Sequence, residues 1–314
     1  IIPMRLQNTG NRIATYTLSA SFSDQTWSAS FTNDTGSSFL PIAMGRGESV
    51  DFLVHITASS LASPDNYSFS VRATCTTCGA TPVSGNDVLI RQINVPAMRN
   101  VEIASETIEI SAPADGILRK IPLEITNLGN NDEVFDMVLT QSNNLLMAGL
   151  TTEVTGTIGA WDDVFEMFLN LPMPLYLAPG LYSVSIRVVS QNDPSVWDSV
   201  TISVTVEETA GALVYSDNPE QSYIPGDDAD SVRFEIRNEG NSADRFNLVL
   251  EAGAKMNAEI QGLENGLTPL IAPGASHNVT VGFTFDSDAM GQIPLKVTAT
   301  SQNDPAVSGS GEIS

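Results

Sequence analysis

The chain has 314 residues, 37 acidic against 14 basic side chains and a formal net charge of −23, yet charged residues make up only 16% of it. Cations are scarce, Lys standing only at Lys120, Lys255 and Lys296, and such a surface repels phosphate backbones and anionic headgroups, which excludes nucleic-acid binding and polybasic membrane docking. Patterned hydrophobic residues amount to 42%, too many for a disordered chain, and no apolar run reaches the roughly 20 residues of a membrane-inserted helix.

The first landmark is Asn8-Thr9-Gly10-Asn11, followed by Tyr16. It returns as Asn127-Leu128-Gly129-Asn130 with Phe135 and as Asn238-Glu239-Gly240-Asn241 with Phe246, the last two copies standing 111 residues apart. Ser190-Gln191-Asn192-Asp193-Pro194 recurs 111 residues later as Ser301-Gln302-Asn303-Asp304-Pro305, and Gly180, Tyr182, Val184 and Ile186 map in the same register onto Gly291, Ile293, Leu295 and Val297. Separated landmarks held in one register predict three homologous domains, over 1–97, 98–208 and 209–314.

In the first copy Trp27 falls in a strand-like stretch, where an aromatic plugs a core. Asn33-Asp34-Thr35 and Asn66-Tyr67-Ser68 are sequons for N-glycosylation at Asn33 and Asn66. His55 lies between Val54 and Ile56 on the polar face of a strand, with no nucleophile or acid at motif spacing. Ser68 to Ala73 alternates polar and apolar, as a half-buried strand does. Cys75-Thr76-Thr77-Cys78 follows at the strand end. A zinc site would need four ligands, and thioredoxin-like chemistry a helix N-terminus, so the expectation is a small disulfide closing a hairpin tip in an oxidising compartment.

The middle copy predicts seven strands, over 101–110, 117–127, 133–141, 148–157, 164–171, 180–191 and 196–206. Pro113-Ala114-Asp115-Gly116, the Asn-x-Gly corner and Ala178-Pro179-Gly180 separate them, with glycine expected to supply positive φ. Seven short alternating strands with such turns read as an all-β chain of three tandem immunoglobulin-like β-sandwiches. Trp161, Trp197 and Tyr176 are weighed between a sugar-stacking platform and packing, and packing is preferred.

In the third copy Asp227, Asp228 and Asp230 crowd one turn and are the candidate Ca²⁺ ligands, weighed against acid that merely solubilises a turn. Asn278-Val279-Thr280 is a third sequon, beside His277. Ile1 aligns with Lys120, inside the second strand, and Ser314 with Ser203, so the first and last sandwiches are expected to be incomplete. A window on a longer array, or a strand donated by a neighbouring chain, would complete them.

Leu123-Glu124-Ile125-Thr126-Asn127-Leu128-Gly129-Asn130 with Phe135 resembles the start of a CARDB-type (cell-adhesion-related) immunoglobulin-like domain, and is similar as well to the related domain that accompanies carbohydrate-binding modules in secreted glycosidases. Ala178 to Tyr182 with Ser190 to Pro194, and Ala272-Pro273-Gly274 with Ser301 to Pro305, resemble the second half of that family. The resemblance implies spacer and surface modules of prokaryotic, especially archaeal, envelope proteins. The expected function is therefore a non-enzymatic rod in an extracellular cell-surface or filament-forming protein, with further copies of itself or neighbouring immunoglobulin-like domains as partners. The alternative is a set of accessory, carbohydrate-binding modules of a larger secreted enzyme.

Overall fold

The structure is a computed structural model that describes residues 1–38, 40–79, 86–216, 222–223, 230–263 and 265–314, with Asn86 as backbone alone. The first repeat contributes β1 (Ile2–Gln7), β2 (Ala14–Phe22), β3 (Ser28–Thr32), β4 (Ile42–Met44), β5 (Ser49–Thr57), β6 (Asp65–Cys75) and β7 (Asn86–Val95). The middle repeat contributes β8 (Val101–Ala104), β9 (Glu109–Pro113), β10 (Leu118–Asn127), β11 (Phe135–Gln141), β12 (Gly149–Leu150), β13 (Asp163–Pro172), β14 (Gly180–Ser190) and β15 (Trp197–Glu207). The third contributes β16 (Ala212–Tyr215), β17 (Asp230–Asn238), β18 (Phe246–Ala252), β19 (Met256–Gln261), β20 (Ser276–Phe285), β21 (Leu295–Ser301) and β22 (Ser308–Ile313).

Period-two patterning places these strands. In β10, Ile121, Leu123 and Ile125 face inward and are buried, while Lys120, Pro122 and Glu124 face out. The middle repeat stacks a sheet of order β12-β13-β10-β8 on one of order β11-β14-β15-β9, and their inner faces share one apolar cluster from Val101 to Val206. This is the D-E-B-A over C-F-G arrangement of the immunoglobulin fold, with β9 returning parallel to β15 as the second half of the first strand. The third repeat repeats it with β19-β20-β17-β16 over β18-β21-β22. The first has β3-β5-β1 over β4-β2-β6-β7. The chain is thus three tandem immunoglobulin-like sandwiches, the fold class read from the sequence.

Two strands differ from their expected extents. The segment 101–110 is divided between the sheets: β8 pairs with β10 and β9 with β15. At the break Ser105 Oγ reaches the Thr107 carbonyl at 3.1 Å and the Pro122 carbonyl at 3.0 Å, so a side chain takes over where the ladder stops. The segment 148–157 is a strand only at Gly149–Leu150, where it pairs with β13. It then crosses to the other sheet, where Val154 bridges Asp136 and Ile158 bridges Glu133. Leu267 and Ile271 make the same bridges to Asn247 and Asp244 in the third repeat.

The E–F corner explains the aromatic at Gly-x-Tyr. Tyr182 Oη donates to the Ala178 carbonyl at 2.8 Å and Tyr67 Oη to the Ser63 carbonyl at 2.9 Å, four residues back in both repeats. Each is a tyrosine corner that ties the start of strand F to the turn before it. Core size is uneven. The middle cluster is the largest, whereas the first sandwich divides into a group around Phe52, Val54, Phe69 and Val71 and another around Ala14, Tyr16 and Met44.

Candidate functional site

The repeated Asn-x-Gly-Asn corner is the most elaborated polar feature of the molecule. Asn8, Asn127 and Asn238 are each fully buried, an environment that a polar side chain tolerates only with its hydrogen bonds made. Asn127 Nδ2 donates to the Asn131 carbonyl at 2.8 Å and the Ile158 carbonyl at 3.1 Å, and its Oδ1 accepts from Gly129 N at 2.9 Å. Asn238 repeats the set with Ser242, Ile271 and Gly240, and Asn8 repeats it with Arg12, Met44 and Gly10. The side chain thereby joins the end of strand B to the segment that crosses between the sheets.

The corner glycines do not have the positive φ expected of them. Gly116 and Gly180 do, at 75° and 151°. At Gly129 and Gly240 the constraint is space: a Cβ would sit 2.6 Å from the Met98 carbonyl oxygen and 2.5 Å from that of Thr209. These carbonyls belong to the segments joining consecutive sandwiches. At Gly10 the nearest atom to such a Cβ is Asn8 Oδ1, at 3.0 Å.

The second Asn of the motif holds the same joining segments. Asn130 Nδ2 donates to the Pro96 carbonyl at 3.0 Å while Oδ1 accepts from Met98 N at 2.6 Å. Asn241 does likewise with the Glu207 carbonyl at 2.7 Å and Thr209 N at 2.8 Å. The second junction has an additional contact. Tyr176 Oη lies 3.1 Å from both Glu239 Oε2 and an Arg237 terminal nitrogen, and its ring covers Gly274. Arg237 Nε and Glu239 Oε1 form an ion pair at 3.0 Å whose N–H does not point at the oxygen. The equivalent positions at the first junction hold Leu61, Thr126 and Leu128, which cannot form this polar contact.

A third network was not legible as such in the sequence. Glu133 is buried, and its carboxylate accepts from Ser190 Oγ at 2.7 Å, Asn192 Nδ2 at 3.1 Å and Arg99 Nε at 2.6 Å. Burial opposes its ionisation, but the hydrogen bonds from Ser190, Asn192, Arg99 and Asn131 outweigh it and hold the carboxyl below its ordinary pKa. Asp244, at the same register in the third repeat, accepts from Ser301 Oγ and from Gln302 N and Asn303 N. The Ser-Gln-Asn-Asp-Pro motif is therefore a loop folded over a buried carboxylate. Its sequence signal was the shared spacing of Glu133 with Ser190 and of Asp244 with Ser301.

In the first repeat Ala14 takes the place of that carboxylate and Cys75 the place of the serine. Cys75 and Cys78 are joined through their sulfurs with Cα atoms 5.6 Å apart. The bond spans the residues that Ser190 Oγ connects to Asp193 N at 3.1 Å, and Ser301 Oγ to Asp304 N at 2.9 Å. The disulfide is a covalent version of the same turn closure.

The remaining candidates are dispersed. Asp227 and Asp228 lie outside the described residues, and Asp230 opens β17, exposed, with Oδ1 accepting from Ser231 N. Among the described residues no group of three His, Cys, Asp or Glu side chains is placed to hold a metal. Asn33 Oδ1 accepts from Thr35 N, Thr35 Oγ1 and Ser37 N in an exposed turn. Asn66 is exposed on β6 beside Asn94, and Asn278 is exposed on β20. His55 is half-buried rather than solvent-facing, its Nε2 2.9 Å from Thr32 Oγ1. Trp27 is a core residue, 5% exposed. Trp197, for which packing was preferred, is 50% exposed, with the Arg187 guanidinium 4.2 Å above its ring.

No protein-family model matches the chain, and no curated protein matches it by sequence. Among solved structures it is similar to PcdhgB3 EC1-4 over 95% of its length and 65% of that chain, at 9% identity and a TM-score of 0.39. It is similar to mouse Cadherin-23 EC22-24 over 91% of its length and 84% of that chain, at 12% identity and a TM-score of 0.35. A protein from Porphyromonas gingivalis W83 is similar over 68% of this chain and 99% of its own, at 15% identity and a TM-score of 0.28. The fold assignment rests on the strand orders above. Among the described residues no helix is long and apolar enough to cross a membrane.

Proposed function

We propose that this chain is a non-enzymatic structural segment of an extracellular cell-surface or filament-forming protein, a rod of immunoglobulin-like units over 1–97, 98–208 and 209–314 used in assembly or adhesion. The observation that carries the reading is the pair of identical linker clamps. Asn130 and Asn241 each bind the joining segment on both sides of one residue, Ala97 and Glu208 respectively, and Gly129 and Gly240 admit it to backbone contact. A linker bonded in this way has little freedom to swing, whereas domains in one chain otherwise move by default. The non-catalytic reading is supported by where the reactive side chains are engaged: His55 with Thr32, Glu133 and Asp244 within their loops, Cys75 and Cys78 with each other.

Small-angle X-ray scattering tests the rod. Eleven-residue strands such as β14 and β15 are about 36 Å long, so three sandwiches end to end give a maximum dimension of about 110 Å. A compact profile with a maximum dimension near 60–70 Å, about that of a single globule of this length, would refute it. The oxidising compartment is read from the disulfide and is checked by thiol labelling of unreduced, denatured protein from its native source, where two labelled cysteines would refute it.

A further inference from the structure

We infer that the two junctions differ in stiffness: Tyr176 fastens the second and third sandwiches into one stiff arm, and the first sandwich is the one free to tilt on that arm. The inference deepens the rod reading and rests on it.

The clamps do not distinguish the junctions, because each fixes the joining segment to the sandwich that follows. Asn130 holds Pro96 and Met98, Glu133 holds Arg99, and Leu128 N donates to the Asn100 carbonyl at 3.1 Å. Asn241 holds Glu207 and Thr209, Glu208 Oε1 accepts from Ser242 Oγ at 2.6 Å, and Glu239 N donates to the Gly211 carbonyl at 3.0 Å. Such a clamp leaves open the angle between the preceding sandwich and its own exit strand. Fixing that angle takes a second point of contact, away from where the chain crosses, and without one the default is relative motion.

The E–F corner supplies that point at the second junction. Tyr176 Oη meets Glu239 and Arg237 at the end of β17, and its ring lies on the D–E turn, where a Cβ on Gly274 would sit 2.9 Å from a ring carbon. One side chain thereby touches two separate segments of the third sandwich. The A–B turn at the same end of the middle sandwich adds nothing: Gly116 N donates to the Met173 carbonyl and Ile117 N to Asp115, both within that sandwich. At the first junction the corner residue is Leu61, which is 63% exposed. Asp162 there takes the place of Gly274. Its N donates to the Asn127 carbonyl at 2.9 Å as Gly274 N donates to that of Asn238 at 2.8 Å, and their φ values are 64° and 70°. Asp162 is exposed, and covering it with an isobutyl group would desolvate a carboxylate without giving it a partner. Among the described residues the hydrogen bonds at this junction all run between 96–100 and the middle sandwich, and none reaches the body of the first.

Double electron–electron resonance on the spin-labelled chain tests the difference. Ser30→Cys, Glu166→Cys and Glu259→Cys place labels at exposed strand positions, one in each sandwich, used as the pairs 30/166 and 166/259. Cys75 and Cys78 are bonded to each other and take up no label. The distance distribution across the first junction is expected to be about twice as wide as that across the second. Tyr176→Asn removes the ring and keeps a left-handed backbone, φ 66°, that asparagine tolerates. It is expected to widen the second distribution to match the first and to leave the first unchanged. A second distribution that stays narrow in Tyr176→Asn would overturn the role of Tyr176. Equally narrow distributions in the parent chain would overturn the tilting first sandwich and leave the rod standing. Equally broad ones would overturn the stiff arm and the rod with it.

Discussion

Asn238 has a large effect for one side chain because it bonds backbone at three points, tying the end of strand B to the segment that crosses between the sheets. Its replacement by Ala removes the bonds to the Ser242 carbonyl and Gly240 N, while the Ile271 carbonyl keeps its bond from Asp244 N. Leaving buried groups unsatisfied costs about 1–3 kcal/mol each before relaxation, and so we expect Asn238→Ala to destabilise its sandwich by about 2–4 kcal/mol in urea unfolding. Glu133 is the titratable counterpart. Its folded pKa is depressed, so its contribution is complete above the unfolded value of about 4.3 and is lost as pH falls through the folded pKa. Melting temperatures measured from pH 7 down to 3 should fall in the wild type, and Glu133→Gln should be less stable at pH 7 and show a shallower acid dependence. Equal slopes for the two proteins would show that another group controls the acid transition. The sequence marked Asn127 and Asn238 through their repetition but gave no reason for it, because hydrogen bonds to carbonyls about 30 residues away are made only when the sheets stack.

At the level of elements, the turn between strands F and G has two solutions in one molecule. In the second and third repeats Ser190 and Ser301 close it by hydrogen bonds over Glu133 and Asp244, and in the first Cys75 and Cys78 close it covalently above Ala14. The disulfide loop is short, and the loop-entropy relation gives it about 2 kcal/mol. The Cys75→Ser, Cys78→Ser double variant, or reduction of the wild type, should lower the melting transition of the first sandwich by about that amount. The transitions of the other two should stay in place, as calorimetry with added reductant can show. Strand periodicity was readable throughout, since alternation needs only neighbours in sequence. The division of 101–110 into β8 and β9 was not, because both halves alternate and only the choice of sheet differs.

For the whole molecule, the two linker clamps and the small corner glycines couple neighbouring sandwiches. Gly129→Ala and Gly240→Ala place a methyl carbon within about 2.6 Å of a linker carbonyl oxygen and should loosen the junctions. The expected readouts are a broader scattering distance distribution and faster proteolysis at residues 96–98 or 207–211. Gly10→Ala, which meets no linker, should leave both unchanged. The sequence by itself determined the strand class, the threefold repeat and its register, because alternation and spacing are properties of a one-dimensional pattern. It also carried the scarcity of cations that sets the net charge of −23. Only the tertiary structure decided which polar residues are buried, that the corner glycines serve close approach rather than positive φ, and that the segment 101–110 is divided between the two sheets of its sandwich. Those facts depend on which strands meet across a core, and contacts between segments distant in the chain exist only after the sheets have stacked.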